Sequence, residues 1–249
     1  MEVSNEVNYL ANFLTGLSLL FGFLSIIFSL ESQFTFASWA IILSVISDGL
    51  DGQIARKNLI PSEFGKELDS LVDAVSFGIA PSILGYVFVY THFQFLATLA
   101  LFIYLVCSVF RLAKYNITPK EKITNYFIGL PTTVSGGVLA SFVLIYRRKQ
   151  NMMFPKYLPD ILLPKFIPVI FLLLVLILSF LMISRIKYLN LDGLKQLFGR
   201  KTGLLILAMA LILIIAAFLN KAGVTLFTIF LIYLIFSPFM VKRLDNLPG

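Results

Sequence analysis

Charge is scarce in this chain. Of 249 residues only 13% are charged, while 59% are hydrophobic, and the mean hydropathy is +0.92. A soluble domain of this size has no use for so much apolar surface, so that class is excluded. Cysteine is nearly absent. Cys107 stands alone, which excludes an intramolecular disulfide. Histidine is equally rare, and His92 falls in a loop away from the acidic residues. A metal centre built on His or Cys is therefore excluded. Repeats on the scale of about 20–50 residues, low-complexity tracts and interdomain linkers are also missing, so residues 1–249 read as one domain. The first 30 residues lack a basic start and a small-residue cleavage site, and the first span is expected to stay in the mature protein.

What is present is long apolar runs. Eight of them, roughly 8–29, 34–56, 65–90, 93–114, 126–147, 165–186, 202–219 and 222–241, have the ~20-residue length that a hydrocarbon core of ~30 Å demands. The chain is expected to be an all-α, polytopic membrane helix bundle. Its net charge of +7 comes from Lys and Arg placed between apolar runs. That placement suits anionic lipid head groups and argues against nucleic acid. With an even number of spans, 14 of the 20 basic residues fall on the side of both termini. The positive-inside rule then predicts cytoplasmic termini in a multi-pass protein of the cell membrane. The long basic stretch 146–165 fits poorly outside. Either it lies on the membrane surface or the span count changes by one.

The acidic residues that remain are concentrated. Asp48 and Asp51 are three apart near the end of the second span, and Asp69 and Asp73 are four apart at the start of the third. Each spacing places its pair on one face of a helix. Gly52, Pro61 and Gly65 between them read as a helix end, a turn and a new helix start. Two helices joined there would bring four carboxylates together at the cytoplasmic ends of helices 2 and 3. Such a group cannot stay ionised alone, and two divalent cations would balance it. All-oxygen ligation selects Mg²⁺ or Mn²⁺, and Ca²⁺ can also occupy such a site. A pair of such ions suits phosphoryl transfer. Gly52 would let a phosphate approach the backbone, and Arg56 could pair with a diphosphate. A helix cap at Gly52 and an interface anchor at Arg56 are the plainer readings. Small residues at Ala74, Gly78 and Ser82 give the third span a close-packing face. That face serves either packing within the chain or a homodimer contact, and the sequence leaves both open.

Together these residues resemble the CDP-alcohol phosphatidyltransferase family, whose motif is D-x2-D-G-x2-A-R-x8-G-x3-D-x3-D. Asp48, Asp51, Gly52, Ala55, Arg56, Gly65, Asp69 and Asp73 meet every spacing. The resemblance implies transfer of a phosphatidyl group from a CDP-linked lipid to an alcohol, with release of CMP. It implies that Asp48, Asp51 and Asp69 hold the metals and that Asp73 is the general base and also touches a metal. It implies a CDP-lipid pocket at Gly52, Ala55, Arg56, Ser62 and Gly65. Asn12 and Thr15 are similar to the family's N-x-L-T start and would reach the cytidine, with N-capping and helix packing an equal reading of both.

The flanking residues resemble the serine-accepting branch of that family. Asp69 to Pro81 is similar to its D-S-L-x-D-x-V-S-F-G-x-A-P. Phe110 to Asn116 is similar to its F-R-L-A-R-F-N, with Lys114 and Tyr115 departing, and Phe127 to Pro131 to its F-x-G-L-P. L-serine is the acceptor this implies. Arg111 is the candidate for its carboxylate, and Asn116 for a hydrogen bond to the amino acid or for fixing Arg111. Anchoring at the interface is an equal reading of both. Inositol phosphate or glycerol phosphate is the alternative acceptor. A cation transporter is disfavoured, because the aspartates sit at helix ends and Gly52 with Arg56 would have no purpose there.

Overall fold

The computed structural model describes residues 9–57, 63–89, 94–118, 125–151, 163–199, 202–203, 212 and 221–245. The elements in chain order are α1 (Tyr9–Leu30), α2 (Phe34–Lys57), α3 (Glu63–Asp73), a π-helical turn (Ala74–Ile79) and α4 (Ala80–Val89). There follow α5 (Gln94–Ile117), β1 (Tyr126–Ile128), α6 (Thr132–Asn151), α7 (Leu163–Ile183), β2 (Lys187–Leu189), α8 (Leu191–Phe198) and α9 (Ala222–Asp245). Among the described residues six helical segments are long and apolar enough to cross a membrane: Asn12–Leu30, Phe34–Gly52, Phe64–Val89, Gln94–Ile117, Phe166–Ile183 and Ala222–Leu244. The apolar part of α6, Thr132–Tyr146, is shorter. The protein is a polytopic membrane helix bundle.

Two expectations need adjusting. The fifth span was placed from residue 126, but α6 starts at Thr132. Residues 126–128 are a strand instead, and Gly129 takes a positive φ of 79° that ends it. Pro131 then fixes the helical entry, and its carbonyl accepts the Ser135 N–H at 3.1 Å. The second span, expected over 34–56, agrees with α2, which runs to Lys57, so Gly52 is not the helix end that its glycine suggests. The helix-cap reading of Gly52 falls with it. The expected span 202–219 lies almost wholly outside the described residues, as do Pro61, Ser62, His92 and 152–162.

Helix α3, the π turn and α4 form one continuous rod through the middle of the bundle. Its walls are α1, α2, α5 and α6. Small and hydroxylated residues bring these helices close, as is usual where lipid removes the hydrophobic drive for helix association. Ser18 and Ser44 share a 2.7 Å hydroxyl contact between α1 and α2, and Ser44 also donates to the Ser18 carbonyl at 3.0 Å. Ser76 donates to the same carbonyl at 3.1 Å, so three helices meet at one point. A side chain at Gly78 would press on Leu105 and Ser108 of α5, and Ser82 reaches the Leu101 carbonyl at 3.4 Å. The Gly78 and Ser82 part of the small-residue face is thus filled from within the chain. Farther along, Leu84, Leu101, Leu139, Val143, Phe171 and Leu178 make the apolar core.

Strands β1 and β2 pair antiparallel, with Tyr126 opposite Leu189 and Ile128 opposite Lys187. The pair is tied to α9, because Ser237 Oγ accepts the Leu189 N–H at 2.6 Å and Tyr233 donates to the Leu189 carbonyl at 2.9 Å. Val241 and Leu244 of α9 pack on Leu189. At the same end Thr15 of α1 reaches Asp51 of α2. The described starts and finishes of the chain therefore share one end of the bundle with the aspartates.

Candidate active site

The second and third helices each bring two aspartates to that end. Asp48 and Asp51 lie on α2, and Asp69 and Asp73 on α3. Asp48, Asp51 and Asp69 each offer one carboxylate oxygen, and these three atoms lie within 4.8 Å of one another. Asp51 is buried, while the other three are half-buried. The Asp73 carboxyl group meets that of Asp48, and its Oδ1 is buried with no hydrogen-bond partner among the described residues. Thr15 Oγ1 donates to Asp51 Oδ2 at 2.9 Å, which fixes that carboxylate from α1.

A cation is built in beside them. Arg111 of α5 lies near enough to Asp48 and Asp73 to act on both electrostatically. Its Nη1 donates to Thr132 Oγ1 at 3.2 Å, while its Nε is buried without a partner among the described residues. Thr132 went unnoticed in the sequence. It opens α6 and is buried, so its hydroxyl aims the guanidinium.

The donor set fits a hard divalent cation. A Mg²⁺ ion at about 2.0–2.1 Å from each ligand needs oxygens no more than about 4.2 Å apart, and the three oxygens here all lie inside a 4.8 Å limit. The ligands are all carboxylate oxygens, the chemistry that Mg²⁺, Mn²⁺ and Ca²⁺ prefer. One guanidinium cannot neutralise four carboxylates, and a buried, unpartnered carboxylate oxygen on Asp73 is costly unless something completes its coordination.

The other expected residues are spread around this centre. Asn12 is half-buried on α1, one turn before Thr15. Gly52 is half-buried next to Asp51, and Ala55 and Arg56 follow near the end of α2. Gly65 lies on α3, one turn before Asp69. Ser62 is outside the described residues. Arg111 and Asn116 have different partners. Asn116 Oδ1 accepts from Ser70 at 3.0 Å, its Nδ2 donates to Glu67 at 3.4 Å, and its carbonyl accepts from Lys66 Nζ at 2.6 Å. It ties α5 to the first turns of α3, on which Asp69 stands. A cavity of about 270 Å³ opens between α5, β1 and α7. Arg111, Lys114, Tyr115 and Thr118 supply its polar wall, and Ile128 and Met182 its apolar one. It shares Arg111 with the aspartates.

Residues 8–159 match the family model described as CDP-alcohol phosphatidyltransferase. A Helicobacter pylori protein named CDP-diacylglycerol--serine O-phosphatidyltransferase is 29% identical over 191 residues, which cover 77% of this chain and 76% of that protein. A Methanocaldococcus jannaschii protein of the same name is 33% identical over 180 residues, 72% of this chain and 73% of its own. The archaetidylserine synthase of Methanothermobacter thermautotrophicus is 31% identical over 175 residues, 69% and 66%. The matched region carries both aspartate-bearing helices, Thr15 of α1, Arg111 of α5 and Thr132 of α6. This chain belongs to the CDP-alcohol phosphatidyltransferase family.

Proposed function

We propose that the protein transfers the phosphatidyl group of a CDP-linked lipid to the hydroxyl of L-serine, giving phosphatidylserine and CMP. The observation that carries this reading is the convergence of Asp48, Asp51 and Asp69 within 4.8 Å, with Asp73 Oδ1 buried and unpartnered beside them. Support for serine comes from the relatives, two named for serine phosphatidyl transfer and one as an archaetidylserine synthase.

Asp48, Asp51, Asp69 and Asp73 would hold two divalent cations. When bound, these supply charge neutralisation to the diphosphate and favour departure of CMP. Asn12, Thr15, Gly52, Ala55, Arg56, Ser62 and Gly65 would line the nucleotide side. Asp73 takes the proton of the acceptor hydroxyl as the serine oxygen bonds to the lipid-side phosphorus and the bond from that phosphorus to CMP breaks. Positioning and charge do most of the work in such transfers, so no covalent enzyme intermediate is required. Arg111 would hold the acceptor carboxylate at the mouth of the cavity, where its Nε has no other partner among the described residues. Asn116 sets the pitch of α3 beside that site. The basic bias of the aspartate end supports a cytoplasmic site.

The test is incorporation of radiolabelled serine into lipid by purified protein with CDP-lipid. Label should appear only with CDP-lipid and Mg²⁺ or Mn²⁺ together, and chelator should abolish it. A panel with inositol phosphate and glycerol phosphate in place of serine separates the acceptors. Preference for either would overturn the serine reading while leaving the site intact.

A further inference from the structure

Directly after Asp73 the rod leaves α-helical geometry for the π turn Ala74–Ile79, in which the Ala80 N–H bonds to the Val75 carbonyl five residues back. The cause is in the sequence. In an α-helix the Phe77 carbonyl would accept the N–H of residue 81, which is Pro81 and has none. The proline ring would also collide with that carbonyl. A π turn makes room for the ring by inserting one extra residue. Residue 81 cannot give the Phe77 carbonyl its α-helical N–H, and with Phe77 and Tyr104 fully buried and out of reach of water, a substitute donor must come from a neighbouring group. The Tyr104 hydroxyl of α5 provides it at 3.0 Å, and it also lies beside Ser135 of α6.

The extra residue has a geometric effect. Each residue of an α-helix turns the chain by about 100°, so removing one would rotate α3 by that angle relative to α4. The orientation of α4 is fixed by packing. Gly85 is pressed by Phe171 and Leu101, and Pro81 lies against Gly136. Ser76 within the turn is fastened to the Ser18 carbonyl of α1. With α4 held, loss of the π turn would swing Asp69 and Asp73 away from Asp48 and Asp51.

We propose that Tyr104 is a positioning residue: by donating to the Phe77 carbonyl that Pro81 leaves without an N–H, it holds the π turn that aims Asp73 at the aspartates of α2. The inference rests on the metal-assisted reading above. It is tested with purified wild type, Tyr104→Phe, Pro81→Ala and the double variant. The readouts are Mn²⁺ binding by electron paramagnetic resonance without substrates, thermal unfolding in detergent, and kcat and KM for serine and CDP-lipid. Tyr104→Phe should weaken Mn²⁺ binding several-fold, lower kcat about tenfold and leave both KM values within twofold. It should also lower the unfolding midpoint. The Pro81→Ala background restores a backbone N–H at position 81, which can bond to the Phe77 carbonyl. In that background Tyr104→Phe should change neither the midpoint nor Mn²⁺ binding further. Equal losses in both backgrounds, or no loss in either, would overturn the inference. If Tyr104→Phe alone does not yield folded protein, the double variant must recover it, and its failure would count equally against the proposal. Wild type that binds no Mn²⁺ would instead sink the metal reading, while the unfolding cycle would still decide the hydrogen bond.

Discussion

The span in α7, Phe166–Ile183, has a mean hydropathy of 3.2 and is 39% buried, whereas that in α2, Phe34–Gly52, reaches only 1.3 and is 50% buried. In water that order would be reversed. In a bilayer, lipid chains serve apolar side chains as well as a protein core does, so hydrophobicity stops driving burial. What must be buried is what lipid cannot satisfy. Helix α2 encloses Ser38, Ser44, Ser47 and Asp51, and the Ser18–Ser44 contact and the Thr15–Asp51 bond satisfy part of that polarity. On α7, Phe180 faces outward with 71% of its surface exposed. Burial here follows polarity and small size, and the site lies where both are densest.

The contrast can be broken most forcefully at the aspartates. Asp69→Asn keeps shape but removes a charge from the cluster, and serine-dependent CMP release should fall about 10²–10³-fold, with little change in the unfolding temperature. Retention of a tenth of the activity would contradict the role given to α3. Next in size is Arg111→Gln. Losing one charged hydrogen bond costs about 1.5–3 kcal/mol, so kcat/KM for serine should drop about tenfold to a hundredfold, mostly through KM. A change in kcat alone would place Arg111 on the diphosphate instead. Smaller again is Gly137→Leu in α6, whose new side chain would strike the Phe230 ring of α9. Overpacking of this kind costs about 1–3 kcal/mol, read as a lower unfolding midpoint in detergent, with KM for both substrates unchanged. Phe180→Leu on the lipid face of α7 should do least, within about 0.5 kcal/mol. A loss there as large as that at Gly137 would mean that α7 is covered by protein rather than lipid.

The sequence reveals the aspartate centre because its geometry is local. Spacings of three and four within two helices, either side of a short connection, leave few other arrangements. Contacts between distant segments are a different matter. Spacing alone does not show that the Thr15 hydroxyl bonds to Asp51, 36 residues on. Asn116 is expected to bond the amino acid or to fix Arg111, and its side chain bonds instead to Ser70 and Glu67 among the described residues. The β1–β2 pair is invisible to periodicity, since three residues are too few to show alternation. Pro81 was noticed as part of a motif, while its effect on helix register required knowing that Tyr104 lies opposite. Gly52 was read as an ending because glycine ends many soluble helices. Glycine is commoner inside membrane helices, and α2 continues through it.

The pairing of β1 with β2 has a consequence for biogenesis. The strands stand before α6 and after α7, and they are pinned by Tyr233 and Ser237 of the last helix. The wall of the cavity beside Arg111 is therefore stitched from pieces synthesised at very different times. A nascent chain could display all four aspartates before the final helix arrives to pin the strand pair that borders this wall. Chains released before α9 should thus be found in the membrane with the acidic centre in place but with the strand pair beside the cavity unpinned.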